Sequence, residues 1–320
     1  MIDKKYKVDI NGLKQTIHVK GDPKNNIALF LHGGPGVANR HMCCTYNQDL
    51  LDDFLVVGYD QRGTGGSYYG STKDSLNISQ IVDDVETLIE YLCKEFKKDK
   101  VFTVGGSWGS LLGIKHASRY PEHLYAFLGF GQFVDAELNE QISYDFAMSE
   151  AKKHNDQESI DKLLKVGKPV KGIYKDGYDG MRIQREVMNK YGGYSKKNKP
   201  KSYIGGIVEE YLKSGEYSIS EVTGLALGAT RVVRTMWPEI ATVKLDRDNV
   251  DFKVPILIFD GKLDQNTPAE LVEGYYNKIN APYKELVWFE ESGHNPLLDE
   301  PEKFKNLMRD RFHKIERGEL

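Results

Sequence analysis

The sequence predicts an α/β fold with a mostly parallel central sheet, helices on both faces of the sheet, and an inserted helical cap. Three observations predict it. Short, continuous apolar runs alternate with amphipathic helical patterns, as in parallel strands that are buried on both faces. The alternation stops at about residue 134 and resumes at about residue 249. The residues between these points favour helices and carry no strong strand pattern, which indicates an insertion into one α/β core.

The elements of the predicted core follow one another along the chain. Apolar and polar residues alternate on both sides of Asn11-Gly12, and this dipeptide suits a two-residue type I′ turn, so a β-hairpin comes first. Buried strands are then predicted at 27–31, 54–59, 101–104, 125–130, 254–259 and 285–289. A helix with apolar residues at 3.6-residue spacing is predicted from Ile78 to Phe96. Further helices are expected after residue 109, from Pro268, and from about Pro301.

The bulk properties fit one such domain with an insertion. The predicted core covers residues 1–133 and 249–320, and the predicted cap covers 134–248. A chain of 320 residues can bury a large core without disulfides or structural metals. Hydrophobic residues make up 40% and charged residues 28%, which excludes extensive disorder. The net charge of −3 gives no electrostatic basis for binding nucleic acid or an anionic membrane.

The sequence also predicts the compartment of the protein. No apolar signal core follows Met1, and no apolar run approaches the roughly 20 residues that span a bilayer. Cys43, Cys44 and Cys93 form no C-x-x-C pair, and we expect reduced thiols that serve as packing residues. We therefore expect a cytoplasmic chain. We separately expect no metal or other cofactor. The sequence leaves the oligomeric state open.

The segment 105–109, with the sequence GGSWG, is the most specific chemical signal. It matches G-x-S-x-G and stands directly between the predicted strand 101–104 and a helical run. This strand–turn–helix context is the one that a nucleophile elbow requires, because so tight a turn needs small residues around the serine. The alternative is a glycine-rich turn with an incidental serine. The context favours Ser107 as a nucleophile.

A serine hydroxyl needs a general base, and the base needs an acid that orients it. In a nucleophile-elbow enzyme these partners follow the serine in the order acid, then histidine, each in a loop after a late strand. His294 is the histidine that follows the last predicted strand and precedes the last helix. Asp264 lies in the loop after the strand 254–259 and is favoured as the acid over Asp260, which is closer to the strand end. Asp299 follows the histidine and is better explained as a surface or helix-capping carboxylate.

Acyl transfer also requires donors for the negative charge that develops on the carbonyl oxygen. The N–H of Trp108 is one expected donor, and the loop 32–36 (HGGPG) should supply the other, since glycines allow a close backbone approach. This loop lacks the lysine and serine of a phosphate-binding loop. A second glycine-rich segment, 60–67, is expected to be structural, with Asp60 and Arg62 forming a charge pair beside the site.

Three segments together resemble the proline iminopeptidase family of α/β-hydrolases. They are 32–36 (HGGPG), 60–67 (DQRGTGGS) and 105–109 (GGSWG), in this order. The resemblance covers the predicted core and is weak across the predicted cap. It implies the α/β-hydrolase fold and a serine aminopeptidase-like mechanism without a cofactor.

The resemblance also implies roles for individual residues. Ser107, Asp264 and His294 would form the catalytic triad, and the backbone amides of Gly34 and Trp108 would form the oxyanion hole. The family removes an N-terminal residue, usually proline, from a peptide. Its members need carboxylates near the site to hold the free α-amine, because a buried ammonium must be paired.

The residues that would bind this amine depart from the family pattern. Members often carry a W-x-x-W-E segment in the cap, and Trp237 belongs to the nearest fragment here. Some relatives have a glutamate directly after the triad aspartate, where this chain has Gln265. Glu209 and Glu210 are possible substitutes. The expected partner is a short peptide or another small molecule. A carboxylic ester with the same triad, and a non-catalytic binding protein that retains the fold, are the alternatives.

Overall fold

The computed structural model describes residues 1–197 and 205–320. Its strands are β1 (Ile2–Ile10), β2 (Leu13–Gly21), β3 (Asn26–Leu31), β4 (Phe54–Tyr59), β5 (Val101–Gly106), β6 (Leu124–Phe130), β7 (Ile256–Gly261) and β8 (Lys284–Phe289). In the described ranges they form one sheet in the order β1-β2-β4-β3-β5-β6-β7-β8. Strands β3 to β8 all run parallel to one another, whereas β1 pairs antiparallel with β2, and β2 with β4.

Helices cover both faces of this sheet. They are α1 (Ile78–Phe96), α2 (Trp108–Arg119), α3 (Ala136–Lys153), α4 (Gln157–Val166), α5 (Tyr178–Lys190), α6 (Gly205–Ser214), α7 (Ile219–Ile240), α8 (Leu245–Asp248), α9 (Ala269–Lys278), α10 (Pro296–Asp299) and α11 (Pro301–Glu316). Short helical turns occur at Met42–Tyr46, Gln48–Asp52 and Gly65–Ser67.

Alternate residues of the central strands pack on opposite sides of the sheet. Ile27 and Leu29 of β3 belong to an apolar cluster with α1, α2 and α9, whereas Ala28 and Phe30 belong to a second cluster with α11. All four side chains are buried. A strand that is buried on both faces reads as a continuous apolar run, which is why the runs in the sequence identified these strands. The predicted fold class and the N-terminal hairpin are confirmed.

The chain between β6 and β7 forms the helices α3 to α8, which we call the cap helices. The two chain segments that lead into and out of them are joined by backbone hydrogen bonds, from Ala136 N–H to the Val243 carbonyl at 3.0 Å and from Leu245 N–H to the Val134 carbonyl at 2.8 Å. The entry and the exit of this excursion are therefore tied together at the edge of the core. The exact limits, 134 and 248, remain a prediction.

The structure also bears on the expected state of the cysteines and on the search for membrane-spanning helices. Cys43, Cys44 and Cys93 are free thiols, and the first two are buried. Within residues 1–197 and 205–320, no helix combines the length and the hydrophobicity that crossing a bilayer would require.

Candidate active site

The predicted nucleophile lies in a turn of one residue. Ser107 alone joins β5 to α2, with φ of 57° and ψ of −120°, a conformation that residues other than glycine rarely adopt. Its N–H donates to the Phe130 carbonyl at 3.0 Å. A Cβ atom on Gly105 would lie 2.2 Å from the carbonyl oxygen of Gly109. A Cβ atom on Gly109 would lie 2.1 Å from that of Leu31. Close backbone contacts therefore require both glycines of the motif.

The loop 32–36 lies against this turn. A Cβ atom on Gly33 would lie 3.4 Å from Cβ of Ser107. Gly34 has a φ of 120°, which favours glycine. The backbone N–H of Trp108 belongs to the first turn of α2, where N–H groups have no acceptor within the helix. Gly34, Ser107 and Trp108 all line one cavity, so the predicted nucleophile and the two residues predicted for the oxyanion hole lie around the same space.

The side chain of Gln61 forms hydrogen bonds to both the loop 32–36 and the first residue of α2. Its side chain donates to the His32 carbonyl at 2.9 Å and accepts from the Trp108 indole N–H at 2.8 Å, and its backbone N–H donates to Nε2 of His32 at 3.0 Å. Burial lowers the pKa of His32 to about 4, so the ring is neutral and Nε2 is free to accept. This role of the segment 60–67 was not foreseen from the sequence.

The predicted charge pair in that segment is wrong. Asp60 accepts from Arg40 at 2.8 Å and from the Gly66 N–H at 2.7 Å. Arg62 instead donates to both carboxylate oxygens of Asp84, at 2.8 and 2.9 Å. Both ion pairs are buried, and each joins residues that are at least 20 positions apart in the sequence. The closeness of Asp60 and Arg62 along the chain therefore did not predict their ion-pair partners.

Asp264 and His294 are hydrogen-bonded to each other. Nδ1 of His294 lies 2.7 Å from Oδ2 of Asp264. The other carboxylate oxygen accepts the backbone N–H groups of Asn266 and Thr267, at 2.7 and 3.1 Å, and the Thr267 hydroxyl donates to Oδ2 at 2.7 Å. Asp264 is fully buried in the loop after β7, and His294 follows β8. The loop thus orients the imidazole through a carboxylate with saturated contacts.

Asp260 has a different environment. Its oxygens accept backbone N–H groups from Gln132 at 3.3 Å and from Gly261 at 3.1 Å, and its hydrogen bonds do not include His294. Burial, followed by the charge of nearby Asp264, raises the pKa of Asp260 to about 7. Asp264 is therefore the carboxylate that contacts the histidine.

Ser107 and His294 line the same cavity without a direct hydrogen bond. In the part of the chain that the structure describes, Nε2 of His294 accepts from the Asn266 side-chain amide at 3.1 Å, and no bond to the Ser107 hydroxyl occurs. With Nδ1–H directed at Asp264, this network assigns the lone pair to Nε2, as a general base requires.

The cavity has a volume of about 620 Å³ and is enclosed by core loops on one side and cap helices on the other. The core contributes the residues described above. The cap contributes apolar and polar side chains, and the polar ones include Asn139 and Glu140 of α3 and Arg185 of α5. A cavity of this size suits a small molecule or the end of a peptide.

The residues predicted to bind substrate are dispersed. Trp237 lines the cavity, and its indole N–H donates to the Gly172 carbonyl at 3.0 Å. Gln265 donates its backbone N–H to the Gly193 carbonyl at 2.8 Å and does not line the cavity. Glu209 is not brought to the cavity either, because its side chain is exposed and pairs with Lys213 one turn along α6. The side chain of Glu210 lies outside the described residues.

Glu140 is a fully buried carboxylate in the cavity wall that was not predicted from the sequence. Its Oε1 is the acceptor for Arg185 and for Asn139, the latter at 3.2 Å. The sequence did carry an indication of its burial. Glu140 lies on the same face of α3 as the buried residues Ala136, Ala147 and Ala151. A carboxylate in such a stripe is buried when the helix packs, so it needs a partner.

Comparison with known proteins identifies the fold. A family model described as the alpha/beta hydrolase fold matches residues 28–157. Among solved structures, the protein is similar to a proline iminopeptidase from Mycobacterium smegmatis, with a TM-score of 0.69, 19% identity, and coverage of 99% of this chain and 100% of that one. It is similar to VinJ with a TM-score of 0.71, 21% identity, and coverage of 98% and 99%. At these identities the structural likeness concerns the fold.

Curated sequences supply a finer comparison. The chain is 28% identical over 305 residues to the probable aminopeptidase YbaC of Bacillus subtilis, covering 94% of this chain and 93% of the relative. It is 30% identical over 133 residues to the proline iminopeptidase of Flavobacterium johnsoniae, covering 38% of this chain and 43% of the relative. The match with the second protein thus spans less than half of either chain. The resemblance that the three sequence segments indicated is confirmed.

Proposed function

The chain has the α/β-hydrolase fold and resembles curated aminopeptidases and proline iminopeptidases, and from this premise we propose that it is a serine hydrolase that releases an N-terminal residue from short peptides. The observation that carries the proposal is the hydrogen bond between His294 and Asp264 on a cavity that Ser107 also lines. Three loops after parallel strands supply these side chains. This arrangement supports nucleophilic catalysis through an acyl-enzyme.

The proposed reaction has two halves. The Ser107 oxygen attacks the scissile carbonyl carbon while Nε2 of His294 takes the hydroxyl proton, and Asp264 stabilises the imidazolium. The backbone N–H groups of Gly34 and Trp108 bind the oxyanion. The imidazolium then gives its proton to the leaving amine, and the carbon–nitrogen bond breaks. Water, deprotonated by His294, attacks the acyl-enzyme and restores the serine.

One local rearrangement precedes the attack. In this structure Nε2 of His294 accepts from the Asn266 amide. Proton transfer requires this nitrogen to accept from the Ser107 hydroxyl instead, at about 2.6–3.2 Å. Catalytic hydrogen bonds are often long in the free enzyme and tighten only when substrate binds. Replacing the Asn266 amide by the Ser107 hydroxyl as the donor to Nε2 is a change of this kind.

The proposal is tested by pairing substrates of different chemistry. Alanine and proline p-nitroanilides would be compared with the same compounds acetylated on nitrogen, and with short p-nitrophenyl esters. We expect turnover of the free-amine anilides and loss of turnover on acetylation. Hydrolysis of simple esters alone, with the anilides at background, would replace the peptidase by a carboxylesterase with the same triad.

The Ser107→Ala variant is the control for the chemistry. We expect it to lower kcat by roughly 10⁶, the scale seen when a triad serine is removed. A fluorophosphonate probe should label the wild type at Ser107 and leave the variant unlabelled. Wild-type protein that is folded, unlabelled and inactive on every substrate would favour a binding protein over an enzyme.

A further inference from the structure

The chain segment 193–195, between α5 and α6, contacts both loops that hold the proposed acid and base. Its Gly193 carbonyl accepts the backbone N–H of Gln265, the residue after the acid, at 2.8 Å. Its Tyr194 carbonyl accepts the backbone N–H of His294 itself at 2.6 Å. We call this stretch the bridging segment, because it joins the two loops by backbone hydrogen bonds.

The contact between the bridging segment and the base depends on a glycine. A Cβ atom on Gly293 would lie 2.1 Å from the carbonyl oxygen of Tyr194 and 3.1 Å from Cα of Ser195. The ring of Tyr194 also lies beside the imidazole of His294, with the two ring centroids 4.8 Å apart. A larger residue at position 293 would therefore push the bridging segment away from the base.

The carboxylate of Asp299 connects the bridging segment to the backbone beside the base. Its Oδ1 accepts from the Ser195 hydroxyl at 2.9 Å, and its Oδ2 accepts from the Gly293 N–H at 3.0 Å. Asp299 and Ser195 are 8% and 3% exposed. The expectation of a surface or helix-capping carboxylate is wrong, because the side chain is buried and the N-cap residues of α10 and α11 are Asn295 and Glu300.

Proton transfer by a histidine depends on the position of its backbone as well as on the rotation of its ring. Asp264 fixes the rotation of the His294 imidazole through a hydrogen bond to Nδ1. The backbone of residues 293 and 294 is held by the bridging segment and by Asp299. A displacement of about 1 Å at a reacting group can cost about 10²-fold in rate, so these contacts bear on catalysis without touching the substrate.

We infer that Asp299 is a positioning residue for the proposed base, His294, an inference that rests on the proposed function. Its carboxylate accepts one donor from each side of the junction, and a hydrogen bond to a carboxylate is about twice as strong as one between neutral groups. Asp299 does not line the cavity, so it acts through the His294 loop and not on the substrate. Although the bridging segment lies between two cap helices in the sequence, these contacts place it on the core side of the cavity.

Asp299→Ala removes both hydrogen bonds and leaves the residues of the cavity lining unchanged. With alanine p-nitroanilide we expect kcat to fall about 30-fold while KM stays within about twofold, since the base is displaced and the substrate contacts are kept. Fluorophosphonate labelling of Ser107 should slow by a similar factor, because it needs the base but no peptide. Urea denaturation checks that the variant is folded under the assay conditions.

Asp299→Asn tests the two hydrogen bonds themselves. The amide oxygen can still accept the Gly293 N–H, and the amide nitrogen can donate to the Ser195 hydroxyl oxygen. We therefore expect kcat and the labelling rate to return to within about threefold of the wild type. An Asn variant as slow as the Ala variant, or an Ala variant with a raised KM and an unchanged kcat, would reject the positioning role.

Ser195→Ala removes only the hydrogen bond on the side of the bridging segment, and its kcat should fall about fivefold. The matched control is Ser159→Ala, because Ser159 is also 3% exposed and donates to a cap aspartate, Asp156, at 2.6 Å, but does not line the cavity. This control should keep the wild-type kcat. If Asp299→Ala does not fold, a fall in Ser195→Ala alone supports the inference, and equal rates in the two serine variants reject it.

Failure of the proposed function is a separate outcome. A wild type that is labelled at Ser107 but does not hydrolyse the anilide would reject the peptidase, and the labelling rates of the variants would still test Asp299. A wild type that is neither labelled nor active would reject both the proposed function and the positioning role.

Discussion

The two sides of the cavity hold buried carboxylates of opposite character. On the core side, Asp264 accepts from His294, from the Thr267 hydroxyl, and from two backbone N–H groups of its own loop. On the cap side, Oε2 of Glu140 accepts nothing from the described residues. Saturated contacts fix a side chain before any ligand arrives, whereas an unpaired acceptor is completed by one. Under the proposed function, the core side performs the chemistry and the cap side contacts the substrate.

The origin of each side explains this difference. Core residues stand directly after parallel strands, whose ends the sheet hydrogen bonds hold in place. Cap residues project from helices, and their positions depend on how α3, α5 and α7 pack together. Substitutions on the core side should change turnover of every substrate. Substitutions on the cap side should change the choice among substrates.

The largest change in stability is expected on replacing Arg40, whose side chain forms ion pairs with both the core and the cap segment. The fully buried guanidinium donates to Asp60 of the core at 2.8 Å, and to Glu216 and Glu221 of the cap segment at 3.3 and 2.8 Å. Arg40→Met would leave buried carboxylates without this cation. We expect the free energy of unfolding to fall by about 3–5 kcal/mol, measured by urea denaturation.

The control for this variant is Lys213→Met, which removes an exposed cation from the cap helix α6. Its free energy of unfolding should stay within about 0.5 kcal/mol of the wild type. Limited proteolysis of Arg40→Met would show which part of the chain unfolds. Cleavage confined to the cap helices would mean that the core is stable alone, whereas an unchanged urea midpoint would contradict the importance of the junction.

The features that could be predicted from the sequence lie mainly on the core side. Parallel strands buried on both faces read as apolar runs, so their positions, the fold class and the loops that follow them were accessible. Ser107, Asp264 and His294 were chosen by motif and chain order, and their catalytic roles stay predictions. The helical stripe could mark Glu140 as buried, but it could not identify the partner Arg185, which is 45 residues away on another helix. The Asn266 contact was not accessible either, because it depends on the detailed shape of one loop.

The next effect concerns the second buried carboxyl group on the core side. Burial raises the pKa of Asp260 to about 7, so the native state keeps a proton that the unfolded chain releases near pH 4. The native state then binds more protons between these values, and stability falls as the pH rises through this window. Asp260→Asn cannot ionise. Between pH 5 and pH 8 its free energy of unfolding should improve relative to the wild type by about 2–3 kcal/mol.

Urea denaturation at several pH values measures this difference, and Asp179→Asn provides the comparison. Asp179 is an exposed aspartate on the cap helix α5, so its replacement should shift stability by a similar amount at every pH. A wild type and an Asp260→Asn variant that differ by a constant would mean that Asp260 is ionised throughout. The core side would then hold two adjacent buried charges, and it would be less well compensated than the contacts of Asp264 suggest.

The smallest effect is expected at Asn266, where the two sides meet. Its backbone carbonyl accepts from the Asn139 side chain of the cap, while its own side chain donates to Nε2 of His294, the nitrogen that the proposed mechanism assigns to the Ser107 proton. Asn266→Ala keeps the backbone contact and removes the competing donor, whose hydrogen bond contributes about 1 kcal/mol. We expect fluorophosphonate labelling of Ser107 to become about fivefold faster, with the melting temperature lowered by no more than about 4 °C. Slower labelling would instead mean that Asn266 orients the imidazole, and the core side would then depend on one more of its own residues to be ready for reaction.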